Sequence, residues 1–200
     1  MAAQFKDLID DIPSVYSRHL NGIFASTFIV RQALKYGKYD LVCYFGHGKP
    51  DRWKDAFGYV IGERHATLFA KSTIVFSFAC ESLESLGPAA VNAGAAAFIG
   101  NARPVYHVGT TRPVNVARAF RSVWFNEVVN LLRGIPVAET VAFAKAQWAD
   151  LANQLGGDDA ACARYNGQWH GYVGDGTARL PPVVAPDGSN LDWNAIPEVG

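Results

Sequence analysis

Two short runs of apolar residues are the clearest pattern along the chain. Leu41–Phe45 and Thr73–Phe78 are apolar at nearly every position, without the alternation of a half-exposed strand. Strands that are buried on both faces of a parallel sheet have this character. A third run, Ala95–Ile99, is similar, and Trp169–Val173 is a candidate for a further strand. The pattern predicts a parallel sheet with helices on both of its faces.

Apolar residues at helical spacing predict the covering elements. One helix starts at Pro113 and stops at Gly134, and another starts near Pro136 and stops at Gly156. Their apolar stripes are Val114, Ala117, Phe120, Trp124, Val128 and Leu131, and Val137, Val141, Ala144, Trp148 and Leu151. We interpret the tryptophans of both stripes as core residues.

Shorter elements complete the predicted architecture. The N-terminal segment is expected to form a short amphipathic helix over Phe5–Ile12 and a second helix that Asn21 caps and that ends at Tyr36. Between the two principal strands we expect a polar loop and then a small hairpin around Glu63 and Arg64.

Composition and charge limit the function classes. The 200 residues suffice for one domain with a sizeable core. Half of the residues are apolar and 18% are charged, which excludes a disordered protein. Basic and acidic residues number 18 each, so no bulk charge favours a nucleic acid or an anionic membrane. No apolar run approaches the length of a membrane span.

The cysteines indicate the compartment. Cys43, Cys80 and Cys162 are an odd number and too few for a disulfide framework in a chain this long. A reducing compartment fits this usage, and the N-terminus lacks the basic and apolar regions of a secretory leader. We therefore predict a cytoplasmic protein. Cys162 falls in a segment rich in Gly, Asp and Ala that we interpret as a connection between elements.

Reactive side chains follow the two principal strands. His47 comes directly after the first strand and Cys80 directly after the second. Ligand sites in parallel sheets lie beyond the carboxyl ends of the strands, and neighbouring strands are about 4.8 Å apart. A thiol and an imidazole at adjoining ends can therefore act on one carbonyl, with the thiolate as nucleophile and the imidazole as acid and base. We predict these roles for Cys80 and His47.

These segments resemble a known group. YFGHG, SFACES, GAAAFIGNARPVY and the late YVGDG are together similar to the caspase-like (clan CD) cysteine peptidases, above all to their gingipain and CHAT branches. The resemblance covers roughly residues 38–175. It implies a three-layer α/β/α sandwich with a mostly parallel sheet. The predicted organisation is a helical segment at 1–37, a catalytic domain at 38–179 and an extended tail at 180–200.

The resemblance also implies the remaining site residues. The backbone N–H groups of Gly48 and Cys80 would form the oxyanion hole, and Asn101 and Arg103 would contact the substrate. The implied activity is endopeptidase cleavage of a peptide or protein, without a cofactor. Glycine after His47 has an equally good steric explanation, because it permits a tight approach of the backbone.

One departure from the family concerns the sheet. Caspase-like domains generally carry further strand and helix units before the histidine strand, but only 38 residues precede Tyr39, and their pattern is mostly helical. The chain is then a piece of a longer protein, a reduced form of the fold, or a subunit whose missing strands come from a partner. A free sheet edge of this kind favours association with another chain. Basic P1 specificity is not implied, because the acid that provides it in gingipain-like relatives lies upstream.

Several points remain open beside the peptidase assignment. Cys43 lies on the strand face that points toward His47, which invites a metal site with Cys80, but a central strand cysteine is normally a core residue and we predict no metal. Glu81 and Glu84 attract a basic substrate side chain only if they face the site. The whole domain could instead be a catalytically silent interaction module, or a thiol-dependent amidase or acyl transferase.

Overall fold

The structure is a computed structural model that describes residues 6, 15, 17–20, 26–54, 58–69, 73–106 and 112–183. Four strands form the main sheet, and two short ones form a hairpin. The strands are β1 Leu41–Phe45, β2 His47–Lys49, β3 Arg52–Lys54, β4 Ile74–Phe78, β5 Ala97–Asn101 and β6 His170–Gly174. The α-helices are α1 Thr27–Tyr36, α2 Leu86–Asn92, α3 Val114–Leu132, α4 Val137–Gln154 and α5 Gly157–Trp169, and a 3₁₀ helix spans Glu63–Phe69.

The main sheet has the order β1-β4-β5-β6. β1, β4 and β5 are parallel, whereas β6 pairs with β5 in the antiparallel direction. The mixed α/β architecture with a mostly parallel sheet is therefore confirmed. The third predicted strand lies two residues further along the chain than expected, at Ala97–Asn101.

The central strands are buried on both faces, as their continuous apolar character predicts. On β4, Ile74 and Phe76 pack into one core, and Val75 between them packs into the other. The first core lies beneath α3 and α4, and the second lies beneath α2, the 3₁₀ helix and the β2–β3 hairpin. The sheet is thus the middle layer of three.

The two predicted helical stripes form about half of the first core. Every member of the α4 stripe is buried, and Trp124 and Trp148 are 2% and 0% exposed. Their ring centroids are 5.2 Å apart in an edge-to-face arrangement. The interpretation of these tryptophans as core residues is confirmed. On the α3 stripe, Val114 lies at the exposed start of the helix and Ala117 is half-buried.

The predicted hairpin around Glu63 and Arg64 is wrong. These residues begin the 3₁₀ helix, in which the His65 N–H donates to the Gly62 carbonyl at 2.8 Å. The hairpin occurs earlier, where Pro50 and Asp51 connect β2 to β3. A Pro-Asp pair suits such a turn, because Pro fixes φ and Asp hydrogen-bonds locally.

The segment around Cys162 is not a connection. It is α5, which packs on α4 and is followed at once by β6. Apart from Lys6, the predicted helix over Phe5–Ile12 lies outside the described residues, as do the Asn21 cap and the tail after residue 183. Within the described ranges, no helix is both long and apolar enough to cross a membrane.

A buried polar pair links α3 to β6. Glu127 and His170 have fully buried side chains, and His170 Nε2 lies 2.7 Å from Glu127 Oε1. The His170 ring also stands edge-on to Trp124, at 5.1 Å between centroids. Removal of either residue takes the partner from a buried polar atom, His170 Nε2 or Glu127 Oε1, and this is costly in a core.

We expect Glu127→Ala to lower the free energy of unfolding by about 3–5 kcal/mol, because it leaves the buried His170 Nε2 without its partner. Asp150→Ala is the control, since Asp150 is an exposed acid on α4 and should change stability by at most about 0.5 kcal/mol. Urea denaturation monitored by tryptophan fluorescence measures both values. Equal stabilities of the two variants would contradict the role of the pair.

Candidate active site

The parallel pairing of β1 and β4 sets the position of the site. Phe45 and Phe78 are paired at the carboxyl ends of the two strands, and the Gly46 N–H continues the ladder to the Phe78 carbonyl at 3.1 Å. His47 and Cys80 follow these ends directly, so both leave the sheet at the same edge. The predicted neighbouring of the two strands is confirmed.

Gly48 fits closely against the backbone that carries Cys80. A Cβ atom at Gly48 would lie 2.5 Å from the Cys80 carbonyl oxygen, 2.9 Å from Ala79 Cβ and 3.2 Å from Cys80 N. Contacts this short with backbone atoms cannot be relieved by a side-chain rotation. Glycine is therefore required at this position for the hairpin and the cysteine turn to meet.

The N–H of Gly48 points away from the hairpin. Gly48 is paired with Trp53, whose N–H donates to the Ile61 carbonyl and whose carbonyl accepts from the Val60 N–H, both at 2.8 Å. The backbone groups of Trp53 thus bond to Val60 and Ile61, on the side of β3 that faces away from β2. Gly48 and Trp53 are therefore a non-hydrogen-bonded pair of the β2–β3 ladder. The β2–β3 ladder therefore does not use the Gly48 N–H.

Trp53 anchors the hairpin that carries His47. Its side chain is 1% exposed, stacks on Tyr44 at 4.4 Å between ring centroids, and donates from Nε1 to Ser77 Oγ at 2.8 Å. The Tyr44 hydroxyl in turn donates to the His47 carbonyl at 2.9 Å. The Trp53 ring is therefore a core element. Its burial fixes the hairpin over the sheet edge.

The turn after Cys80 is conformationally strained. Glu81 has φ of 58°, in the left-handed region that non-glycine residues rarely adopt. The turn is held in place by two contacts: the Glu81 N–H donates to the Arg103 carbonyl at 3.2 Å, and the Leu86 N–H donates to the Pro50 carbonyl at 2.8 Å. The second bond ties α2 to the hairpin turn.

The Cys80 sulfur has a backbone donor. The Val105 N–H lies 3.3 Å from Sγ, and Cys80 itself is half-buried. In the described part of the chain, no hydrogen bond joins the sulfur to the His47 ring, which is exposed at the rim. Nucleophile and base often approach closely only when substrate is bound. The loop after β5 thus contacts the nucleophile candidate directly.

Arg103 and Asn101 have different placements. Arg103 is exposed at the rim, ion-pairs with Glu84 at 3.0 Å, and stacks over the Trp169 ring. Asn101 is 2% exposed, and its Oδ1 lies 3.3 Å from His170 Nδ1. The burial of Asn101 does not support its predicted contact with substrate. It is instead part of the polar cluster beneath the loop.

The metal alternative has no support in the described residues. No group of three His, Cys, Asp or Glu side chains there has the arrangement of a metal site. Burial raises the pKa of the Cys43 thiol well above its ordinary value, as expected for a core cysteine. Cys43 pairs with Phe76 in the middle of β1 and not at the carboxyl end of the strand.

Asn166 was missed by the sequence interpretation. It lies on α5, is 2% exposed, and forms hydrogen bonds with both the N–H and the carbonyl of Tyr106, each at 2.9 Å. The signal for α5 was present: Asp158 and Asp159 suit the first turn of a helix, and the segment after them is rich in alanine. No apolar stripe marked it, so the helix was not predicted.

The arrangement defines the class of protein. A mostly parallel sheet in an α/β/α sandwich, with His-Gly after one strand and Cys after its neighbour, is that of the caspase-like cysteine peptidases. The model of peptidase family C25 matches residues 12–181, and the chain belongs to this family. The family and the fold indicate a cysteine peptidase.

A solved structure shows the same fold. The crystal structure of gingipain R, an Arg-specific cysteine proteinase, superposes with a TM-score of 0.60 at 14% sequence identity. The match covers 90% of this chain and 42% of that one, so the chain spans less than half of that protein. No curated protein matches the chain significantly. The gingipain part of the resemblance is confirmed, and the CHAT part stays a prediction.

The three cysteines should differ in reactivity. We expect iodoacetamide to modify Cys43 at least about tenfold more slowly than Cys80, because the thiolate is the reacting form and burial raises the Cys43 pKa. The pKa of Cys162 is also raised, by burial and then by Asp159 and Asp158. Mass spectrometry of a labelling time course gives the order. Modification of Cys43 ahead of Cys80 in the folded protein would contradict it, and denatured protein serves as the control.

Proposed function

We propose that the protein is a cysteine endopeptidase in which Cys80 is the nucleophile and His47 the acid and base. The observation that carries the proposal is the close fit of Gly48 against the Cys80 backbone, which holds the His-Gly segment and the cysteine together at one sheet edge. Membership of peptidase family C25 supports the same reaction class.

The proposed reaction has two steps. His47 accepts the thiol proton, the Cys80 sulfur bonds to the substrate carbonyl carbon, and the carbon–nitrogen bond breaks as the imidazolium returns the proton to the leaving amine. Water then attacks the thioester with His47 as base, which releases the acid and restores the thiol. Neither step requires a cofactor or a metal.

The developing oxyanion needs donors already in position. We assign this function to the N–H groups of Gly48 and Cys80. Support comes from the hairpin ladder, which does not use the Gly48 N–H, and from the close approach of Gly48 to the Cys80 backbone. A donor of this kind lowers the transition-state energy by about 2.7–4 kcal/mol.

The exposed rim of the site carries a side chain that can contact substrate. Arg103 has a half-exposed side chain held by Glu84 and Trp169, so its guanidinium is oriented beside the entrance. We propose that it contacts the peptide. Glu84 is engaged by Arg103, which weakens the idea that this acid selects a basic P1 side chain.

The first test is a fluorogenic peptide library randomised at P1. We expect turnover by the wild type and by Cys162→Ala, a half-buried cysteine outside the site, and a loss of at least about 10³-fold in Cys80→Ala and His47→Ala, because the two act as a unit. Kinetics on the best peptide measure the loss. The library also reports the P1 preference.

Other outcomes separate the alternatives. If the wild type is inactive and a peptide electrophile does not label Cys80 faster than it labels Cys162, the domain is a silent interaction module. Turnover of small amides but not of extended peptides would instead favour an amidase or acyl transferase.

Gly48→Ala tests the fit at the sheet edge. We expect a loss of about 10²-fold or more in kcat, because the new methyl group pushes the Gly48 N–H away from the oxyanion. Gly156→Ala is the matched control, since a Cβ there meets nothing within 4 Å and should leave kcat unchanged. Comparable activities of the two variants would exclude Gly48 as a donor.

A further inference from the structure

The loop from Ala102 to Tyr106 bears directly on the nucleophile candidate. Its Val105 N–H donates to Cys80 Sγ at 3.3 Å, and its Arg103 carbonyl accepts the Glu81 N–H at 3.2 Å. The loop therefore contacts the cysteine turn at the sulfur and at the next peptide. Any movement of the loop changes where the sulfur is held.

This loop cannot hold its own position. It has no regular secondary structure, and Arg103, Pro104 and Tyr106 are all exposed. Without a tether, its peptides would exchange between conformations, as exposed loops generally do. Whatever fixes the Val105 N–H on the sulfur must therefore come from a neighbouring element.

Asn166 supplies the tether. Its Oδ1 accepts the Tyr106 N–H and its Nδ2 donates to the Tyr106 carbonyl, both at 2.9 Å. Tyr106 follows Val105 directly, so the amide fixes the peptide next to the one that donates to Cys80. A side chain needs both a donor and an acceptor to bind a backbone residue in this way, and Asn has the two on one short, rigid group.

The same helix holds the other end of the loop. The Ala102 N–H donates to the carbonyl of Trp169 at 2.9 Å, one turn after Asn166 on α5. Asn166 is 2% exposed, so water does not compete for its two hydrogen bonds. Both ends of the loop are thus fixed to the last turn of one rigid helix.

We propose that Asn166 is a positioning residue for catalysis: it holds the Val105 N–H on the Cys80 sulfur and so keeps the sulfur oriented for attack. The proposal rests on the function proposed above for Cys80. The proposed effect is on the orientation of the Cys80 sulfur. A misplacement of a reacting atom by about 1 Å is enough to lower the rate about 10²-fold.

The test compares two substitutions. Asn166→Leu removes both hydrogen bonds, and Asn166→Asp keeps the acceptor for the Tyr106 N–H. We expect kcat to fall about 10–100-fold in Asn166→Leu and less in Asn166→Asp, with KM within about threefold of the wild type. Labelling of Cys80 by iodoacetamide should fall less than kcat does, because a small reagent responds to the thiolate fraction but needs no orientation of the sulfur.

Thr140→Val is the matched control for stability. Thr140 is fully buried on α4, and its hydroxyl donates to the Ile135 carbonyl at 3.4 Å, away from the loop. The Thr140→Val variant also loses a buried hydrogen bond, so its melting temperature should fall while its kcat stays unchanged. A kcat loss in Thr140→Val that matches its stability loss would overturn a specific role for Asn166.

Amide exchange gives a readout that does not depend on activity. By NMR, exchange of the Val105 and Tyr106 amides should be at least about tenfold faster in Asn166→Leu than in the wild type. Unchanged exchange would overturn the tether. Faster exchange with unchanged kcat in an active enzyme would overturn its effect on catalysis.

An inactive wild type has a separate meaning. If neither turnover nor labelling by a peptide electrophile occurs in the wild type, the proposed function fails. Faster exchange in Asn166→Leu would then show a tether of the loop alone, and the catalytic part of the inference would fall with the proposed function.

Discussion

The contact between the Gly48 and Cys80 backbones is the constraint on which the site depends. The distances leave no room for a side chain, so the hairpin and the cysteine turn meet as two bare backbones. Three neighbouring elements hold this contact in place. Trp53 fills the space beneath the hairpin, the Pro50 carbonyl binds the start of α2, and the loop after β5 closes on the sulfur.

The three layers of the fold and the sheet edge that carries His47 and Cys80 could be predicted from the sequence. Buried parallel strands need apolar side chains on both faces, and this requirement is visible in β1 and β4 as runs without alternation. The α4 stripe was equally readable, because every position in it faces one core. Since β1 and β4 are parallel neighbours, the places of His47 and Cys80 followed from the positions at which the runs end.

The parts that were not predicted depend on polar contacts between distant residues. Trp53 looked like a loop residue, because nothing local indicates that Tyr44 and Ser77 bury it. Asn101 looked like a rim residue, although its partner His170 lies far along the chain. α5 carries alanines and polar residues in place of an apolar stripe, so periodicity could not reveal it. Such contacts have no sequence period, and only the fold brings them together.

The dependence of the loop on α5 bears on how the protein is made. Tyr106 is held by a side chain that comes 60 residues later in the chain, and β6 follows only after that helix. A growing polypeptide that leaves the ribosome therefore carries His47 and Cys80 well before the helix that holds Tyr106. On the proposed role of Asn166, the Cys80 sulfur is oriented only after α5 has emerged and packed, so shorter nascent chains would lack that orientation.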